Sequence, residues 1–257
     1  MSYKENVLPI IRSTRSISLP NYGVVESLGS KTGDPSDVVT EVDKNVEKFL
    51  EEKLAQVYPE IPFVGEESGG NRDAKCFWLA DPVDGTGHYV RGMPFCTTML
   101  ALIENGEVIF SAIYDFLNDD MYWAEKGKGA YKNDAEIHVS NRSLSEAYVG
   151  VETKVFNLKN QSFLAELTRT AKSFESINAG WKFAMIASGK LDAAVGFDPW
   201  GKDYDFAPGS LLIAEAGGIV TNINKDTYDY RDLSHIMGNT KIYEEIKNIF
   251  KDYKNIN

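Results

Sequence analysis

Two cysteines and three histidines in 257 residues exclude much chemistry at once. Cys76 and Cys96 each stand beside an apolar, strand-like run, so they read as buried free thiols rather than a disulfide framework. The histidines are scattered, with no ligand spacing for zinc. Basic charge is scarce too: 27 Lys and Arg stand against 38 Asp and Glu, a formal net charge of −11. Such a surface repels nucleic acid and anionic membrane, and neither is expected as a partner. No apolar run approaches the length of a membrane span, and the first residues lack the compact apolar region of a signal peptide. A soluble cytoplasmic protein is the expectation. With 43% hydrophobic and 25% charged residues, the balance is that of an ordinary globular chain.

What is present gathers around one stretch, residues 77–93, which opens Phe-Trp-Leu-Ala-Asp-Pro-Val-Asp-Gly-Thr. Phe77 to Ala80 fits a buried strand, and Asp81-Pro82 is expected to end it, because proline cannot donate to a ladder. Asp84 follows, then Gly85-Thr86 as a tight turn. Two carboxylates on one rigid corner repel each other unless a cation lies between them. Oxygen donors of this kind suit Mg²⁺ or Ca²⁺ rather than zinc. The N–H groups of Gly85 and Thr86 can cradle an anion such as phosphate. Read alone, Asp-Pro and Asp-Gly are also ordinary turn chemistry.

The rest of the chain divides near the polar break Ser140 to Ser143, giving an α+β half (1–140) and an α/β half (141–257). Thr40 opens a helix whose apolar positions Val42, Val46, Phe49, Leu50, Leu54 and Val57 recur at helical spacing. Asp43 in its first turn suits a capping box with Thr40. Ile61 to Val64 is a short strand followed by Glu66 and Glu67, a pair that alone reads as a solvated face. Asn105-Gly106 predicts a hairpin between two apolar runs. Gly127-Lys128-Gly129 lacks the spacing of a phosphate loop and reads as another hairpin turn. From Ala147 onward strands and helices alternate, the pattern of an α/β unit. Asp205 stands at the start of a helix that ends at Gly217-Gly218, where an acidic residue is usually a cap.

Three segments together, Gly65-Glu66-Glu67-Ser68, Asp81-Pro82-Val83-Asp84-Gly85-Thr86 and Asp205 to Gly218, resemble the signature of the inositol monophosphatase superfamily of metal-dependent, lithium-sensitive phosphatases. The resemblance runs over nearly the whole chain. It implies a layered α-β-α-β-α sandwich of the sugar phosphatase type and a homodimer. It implies two or three Mg²⁺ ions per subunit, held by Glu66, Asp81, the Val83 carbonyl, Asp84 and Asp205. Thr86, oriented by Asp43, would position the attacking water, while Gly85 and Thr86 bind phosphate. Asp198, seven residues before Asp205, stands where inositol phosphatases carry an acid for sugar hydroxyls. Members also have a mobile loop around the position of Lys31. The implied activity is hydrolysis of a small polyol or sugar phosphate, first of all inositol monophosphate. Lys182-Phe183 instead resembles the branch that hydrolyses 3′-phosphoadenosine 5′-phosphate, although Gly87 replaces the lysine usual there. Fructose 1,6-bisphosphate and histidinol phosphate stay open as substrates. Tyr204 stands where most members have tryptophan. The reading from another class is a catalytically silent regulatory protein on the same fold.

Overall fold

The computed structural model of the protein describes residues 3–29, 39–154, 156–175 and 178–254. The loop around Lys31 lies outside the described residues. The first half carries helices α1 (Lys4–Ser13), α2 (Arg15–Ser18), α3 (Glu41–Val57) and α4 (Thr86–Tyr89). Its strands are β1 (Phe63–Gly65), β2 (Cys76–Asp84), β3 (Thr97–Glu104), β4 (Glu107–Asp115), β5 (Asp120–Glu125), β6 (Ala130–Lys132) and β7 (Ala135–Ile137). They form one sheet in sequence order, with β1 parallel to β2 and every later pair antiparallel. Asn105 and Gly106, both at positive φ, make the hairpin turn between β3 and β4.

The second half adds β8 (Tyr148–Thr153), α5 (Leu158–Thr170), β9 (Lys172–Glu175), α6 (Ala179–Ala187) and β10 (Ala193–Asp198). It ends with α7 (Asp203–Glu215), β11 (Ile219–Thr221), β12 (His235–Gly238) and α8 (Thr240–Lys254). Its sheet has the order β11-β12-β10-β8-β9, with β8 parallel to both β9 and β10.

Three apolar layers hold the sheets and helices together. The α1 and α3 residues Val7, Ile11, Val46 and Leu50 pack on Trp78, Leu100 and Phe110 of the first sheet. On the opposite face, Phe183 and Ile186 of α6 and Phe206 and Leu212 of α7 lie between Met99 and Ile113 of one sheet and Ala194 and Met237 of the other. Phe163 and Leu167 of α5 and Ile242 and Ile246 of α8 cover the far side of the second sheet. The result is the α-β-α-β-α sandwich that the resemblance implied, with α6 and α7 as its middle layer.

The strand bearing the acidic motif differs from expectation. β2 does not end at Asp81-Pro82 but continues to Asp84. Its pairing with β3 shifts between Asp81↔Met99 and Asp84↔Thr97, so β2 carries one residue more than its partner there. Pro82 falls inside this bulge, where no ladder bond is required of it. The Thr98 hydroxyl donates to the Pro82 carbonyl at 2.9 Å. The bulge brings the side chains of Asp81 and Asp84 toward one point instead of along a regular pleat.

Candidate metal centre

Asp81, Asp84 and Asp205 converge, with one carboxylate oxygen from each lying within 4.8 Å of the others. Asp81 is 2% exposed and Asp84 4% exposed, so burial disfavours charge on both. Burial, then Glu66, Asp84 and Asp205, push the Asp81 carboxyl well above its ordinary range. Asp84 is pushed up to about 6, chiefly by burial, against the N–H groups of Gly180 and Ala179 and the Thr97 hydroxyl, which favour its charged form. Asp205 is raised by burial and by Asp84. Asp81 Oδ1 is buried without a hydrogen-bond partner among the described residues. Three crowded carboxylates with an unpartnered buried oxygen fit a hard divalent cation, whose charge would reverse this mutual penalty.

Each acid is aimed by its own anchor. The Asp84 Oδ2 accepts from Gly180 N–H at 2.7 Å and Thr97 Oγ1 at 3.0 Å, and its Oδ1 from Ala179 N–H at 3.3 Å. Asp84 therefore receives the first N–H groups of α6. Any side chain at Gly180 would meet Thr97 Oγ1 at 2.1 Å, so only glycine lets the helix start this close. Asp205 is not the cap residue itself. It is the third residue of α7, and Lys202 N–H donates back to its Oδ2 at 2.5 Å. Glu66 follows β1, where its N–H donates to the Ala80 carbonyl at 3.1 Å and its carboxyl reaches Asp81. Tyr204 lies near Glu66, Asp81 and Asp205, and burial and these acids raise its hydroxyl's pKa.

Thr86 and Asp43 are brought together. Thr86 Oγ1 lies 2.8 Å from Asp43 Oδ1 and 2.9 Å from the Val83 carbonyl. The other Asp43 oxygen accepts from Thr40 N–H at 2.8 Å and Thr40 Oγ1 at 2.5 Å, so the capping box and the Thr86 contact coexist. Gly85 at φ 84° turns the chain from β2 into α4, whose first N–H groups have no acceptor within the helix. Asp198 ends β10 and is engaged by Lys154 Nζ at 3.2 Å and by Asn157 and Asn160 at 3.4 Å each. Lys154 and the two amides hold its carboxyl below the ordinary range against the effect of burial.

Sequence reasoning missed Glu47 and Thr97, and it marked Lys182 without its buried partner. Glu47, buried on α3 one turn after Asp43, accepts from Glu67 N–H at 2.8 Å and Ser68 N–H at 2.7 Å, pinning the loop that carries Glu66. The signal was an acid on the apolar stripe of α3. Thr97, which holds Asp84, gave none. Lys182, 1% exposed, donates to Glu152 at 2.6 Å. The glycine turn at Gly127 and Gly129 is a hairpin, and its N–H groups are taken by the Glu215 carboxylate at 2.8 and 2.9 Å. Both cysteines are free. No helix among the described residues is long and apolar enough to cross a membrane.

Two sheets between three helical layers, with an acidic, all-oxygen cluster where β2 and α7 meet, define a layered sandwich whose cluster could hold a cation. Comparison with known proteins gives the family. The chain belongs to the Inositol monophosphatase family, whose sequence model matches residues 5–255. It is 30% identical over 240 residues to an inositol-1-monophosphatase of Bacillus subtilis, covering 89% of this chain and 88% of that protein. It is 32% identical over 215 residues to the Nus factor SuhB of Xylella fastidiosa, covering 81% of this chain and 78% of that protein. The crystal structure of the extragenic suppressor protein suhB from Bartonella henselae superposes with a TM-score of 0.87 at 26% identity, over 97% of this chain and 99% of that one.

Proposed function

We propose that the protein is a Mg²⁺-dependent phosphomonoesterase acting on a small polyol or sugar phosphate, inositol monophosphate first among them. The observation that carries this reading is the Asp81–Asp84–Asp205 cluster beside a hydroxyl, Thr86, that is tied to a buried carboxylate, Asp43. Glu66, Asp81 and the Val83 carbonyl would hold one ion, and Asp81, Asp84 and Asp205 a second. When bound, such ions acidify water and stabilise charge developing on the ester oxygens.

The chain's own groups do the rest. Thr86 donates its single proton to Asp43 and so offers a lone pair to a water proton, which fixes the orientation of that water. Asp43 is in place to take up the proton that Thr86 relays, and Thr40 locks its second oxygen. The Gly85 and Thr86 N–H groups receive phosphate oxygens, and their neutral dipoles offset the negative field of an acidic chain. Asp198 would accept from a substrate hydroxyl as a further donor beside Lys154.

A second substrate reading, an adenosine bisphosphate, is favoured by one observation. Phe156 and Trp200 are 68% and 53% exposed with ring centroids 5.9 Å apart, a surface on which a base can stack. Trp200 adjoins Gly201, and a Cβ built on Gly201 would lie 3.0 Å from Asp205 Oδ2. Relatives named as Nus factors keep a silent regulatory role in view. Release of inorganic phosphate from inositol 1-phosphate, fructose 1,6-bisphosphate and adenosine 3′,5′-bisphosphate, with and without Mg²⁺, separates the three. Mg²⁺-dependent release from the inositol ester supports the first reading. Release from the adenosine ester alone supports the second, and none from any supports the regulatory one.

A further inference from the structure

Asp84 and Asp205 reach the cluster from distant places, one at the end of β2 and the other in the first turn of α7. Each disfavours the other's charge, so repulsion acts to part them. A chain of contacts through the middle layer connects them. Asp84 receives the N-terminus of α6 through Ala179 and Gly180. Lys182, on the same first turn of α6, reaches the second sheet and donates to Glu152 Oε2 of β8 at 2.6 Å. The Lys182 ammonium also lies 4.8 Å from the Phe183 ring centroid, within the core between the sheets. Glu152 in turn accepts from Gly201 N–H, in the segment that leads into α7. A Cβ built on Gly201 would lie 3.1 Å from Glu152 Oε1 and 3.0 Å from Asp205 Oδ2, so the two carboxylates flank one glycine. Next in sequence, Lys202 N–H holds Asp205.

We infer that the buried Lys182–Glu152 pair is a positioning device that sets the separation of Asp84 and Asp205 and so prepares the site for its cation. The pair keeps a fourth carboxylate, Glu152, neutralised and out of the cluster. It also locks the start of α6 and the start of α7 to one strand. This inference rests on the reading that Asp84 and Asp205 hold a cation, and it assigns the pair no contact with substrate.

The direction of the effect separates positioning from plain charge. Removing an ammonium near three carboxylates should, by Coulomb's law alone, tighten cation binding, and removing a carboxylate should weaken it. Removing both leaves the net charge unchanged. If the pair positions the acids, every one of these variants weakens binding. Glutamine at 152 keeps one acceptor for Lys182 but turns a donor toward Gly201 N–H, so the tie is cut there as well.

The test is Mn²⁺ binding to the metal-stripped full chain by calorimetry, with bound Mn²⁺ counted by electron paramagnetic resonance. Lys182→Met leaves Glu152 buried and unpaired and risks misfolding, so the deciding variant is Lys182→Met/Glu152→Gln. Melting temperature and near-ultraviolet circular dichroism establish that it is folded. The double variant should bind Mn²⁺ at least ~10-fold more weakly than the parent, the range seen when groups that orient metal ligands are lost. Saturating metal should recover most of the phosphatase turnover. A double variant that binds within about threefold of the parent overturns the inference, whatever its melting temperature. A folded parent chain that binds no Mn²⁺ overturns the cation reading itself and the inference with it.

Discussion

Asp84→Asn should make the metal-free protein more stable than wild type at neutral pH and less stable in mild acid. The Asp84 carboxyl is buried and titrates at about 6 instead of 3.8. A folded-state value above the unfolded one means stability that is complete below pH ~4 and is lost as pH rises through about 6. Roughly two units correspond to ~3 kcal/mol once the group is fully ionised. Between about pH 4.5 and 7.5 the wild-type chain loses ~2 kcal/mol on this account, and asparagine, which does not titrate, loses nothing. The substitution has a fixed cost, because its amide would face Ala179 N–H, which now donates to Asp84 Oδ1, and an unmatched buried donor costs ~1–3 kcal/mol. Taking the difference between variant and wild type cancels titrations that Asp84 does not influence, notably that of His235, while relief of Asp81 and Asp205 in the variant adds to the difference in the same direction. Burial lowers His235 to about 4, so it works in the opposite sense as pH falls below 6.5. Urea unfolding followed by tryptophan fluorescence in EDTA, at several pH values, measures this difference. A difference independent of pH would refute the reasoning, since it would mean that Asp84 carries no charge penalty in the folded chain. Added Mg²⁺ should stabilise wild type at neutral pH by binding the folded state, and leave Asp84→Asn nearly unmoved.

Three further outcomes follow from the site. Thr86→Ala should lower kcat by ~10²-fold or more with little change in the Mg²⁺ concentration for half-maximal rate, while Thr86→Ser recovers much of it; equal loss in both would shift the role from the hydroxyl to the methyl group or the turn. Li⁺, with half the charge of Mg²⁺ in an oxygen-lined site, should inhibit uncompetitively against the phosphate ester, and a competitive or absent effect in steady-state assays would contradict this. Asp198→Ala should raise KM for inositol 1-phosphate more than for p-nitrophenyl phosphate, which has no hydroxyls to lose; equal changes would remove Asp198 from the pocket and leave it as the structural partner of Lys154.

The fold was legible in the sequence wherever pattern and local chemistry agreed. The α3 helix and the Asn105-Gly106 hairpin lie where their periodicity and turn residues put them. Strands and helices alternate after Ala147, with β9 (Lys172–Glu175) ahead of the expected Ser176-Ile177 strand, which falls outside the described residues. Asp43 was legible as a cap, since a capping box is a three-residue relation. Its second contact, to Thr86, joins residues 43 positions apart and came from resemblance rather than from spacing. β2 was misread at Pro82, because a proline ends a strand only where the ladder needs an N–H, and the bulge removes that need. The contacts of Thr97 and Gly180 with Asp84, and the pairing of Lys182 with Glu152, escaped altogether. Each acts across the middle layer between elements distant in sequence, and no local pattern encodes which hydroxyl or ammonium will face a given acid.

The most direct test of the central claim is phosphate release from inositol 1-phosphate by metal-stripped protein titrated with Mg²⁺, wild type beside Asp81→Asn. Asp81 Oδ1 has no hydrogen-bond partner among the described residues, and asparagine there removes a charge without removing a bond made by that oxygen. The wild-type chain should be inactive without metal and turn over as Mg²⁺ is added, while the folded variant stays inactive at every concentration. Turnover by Asp81→Asn close to that of wild type, or release in EDTA, would contradict a mechanism built on this carboxylate cluster.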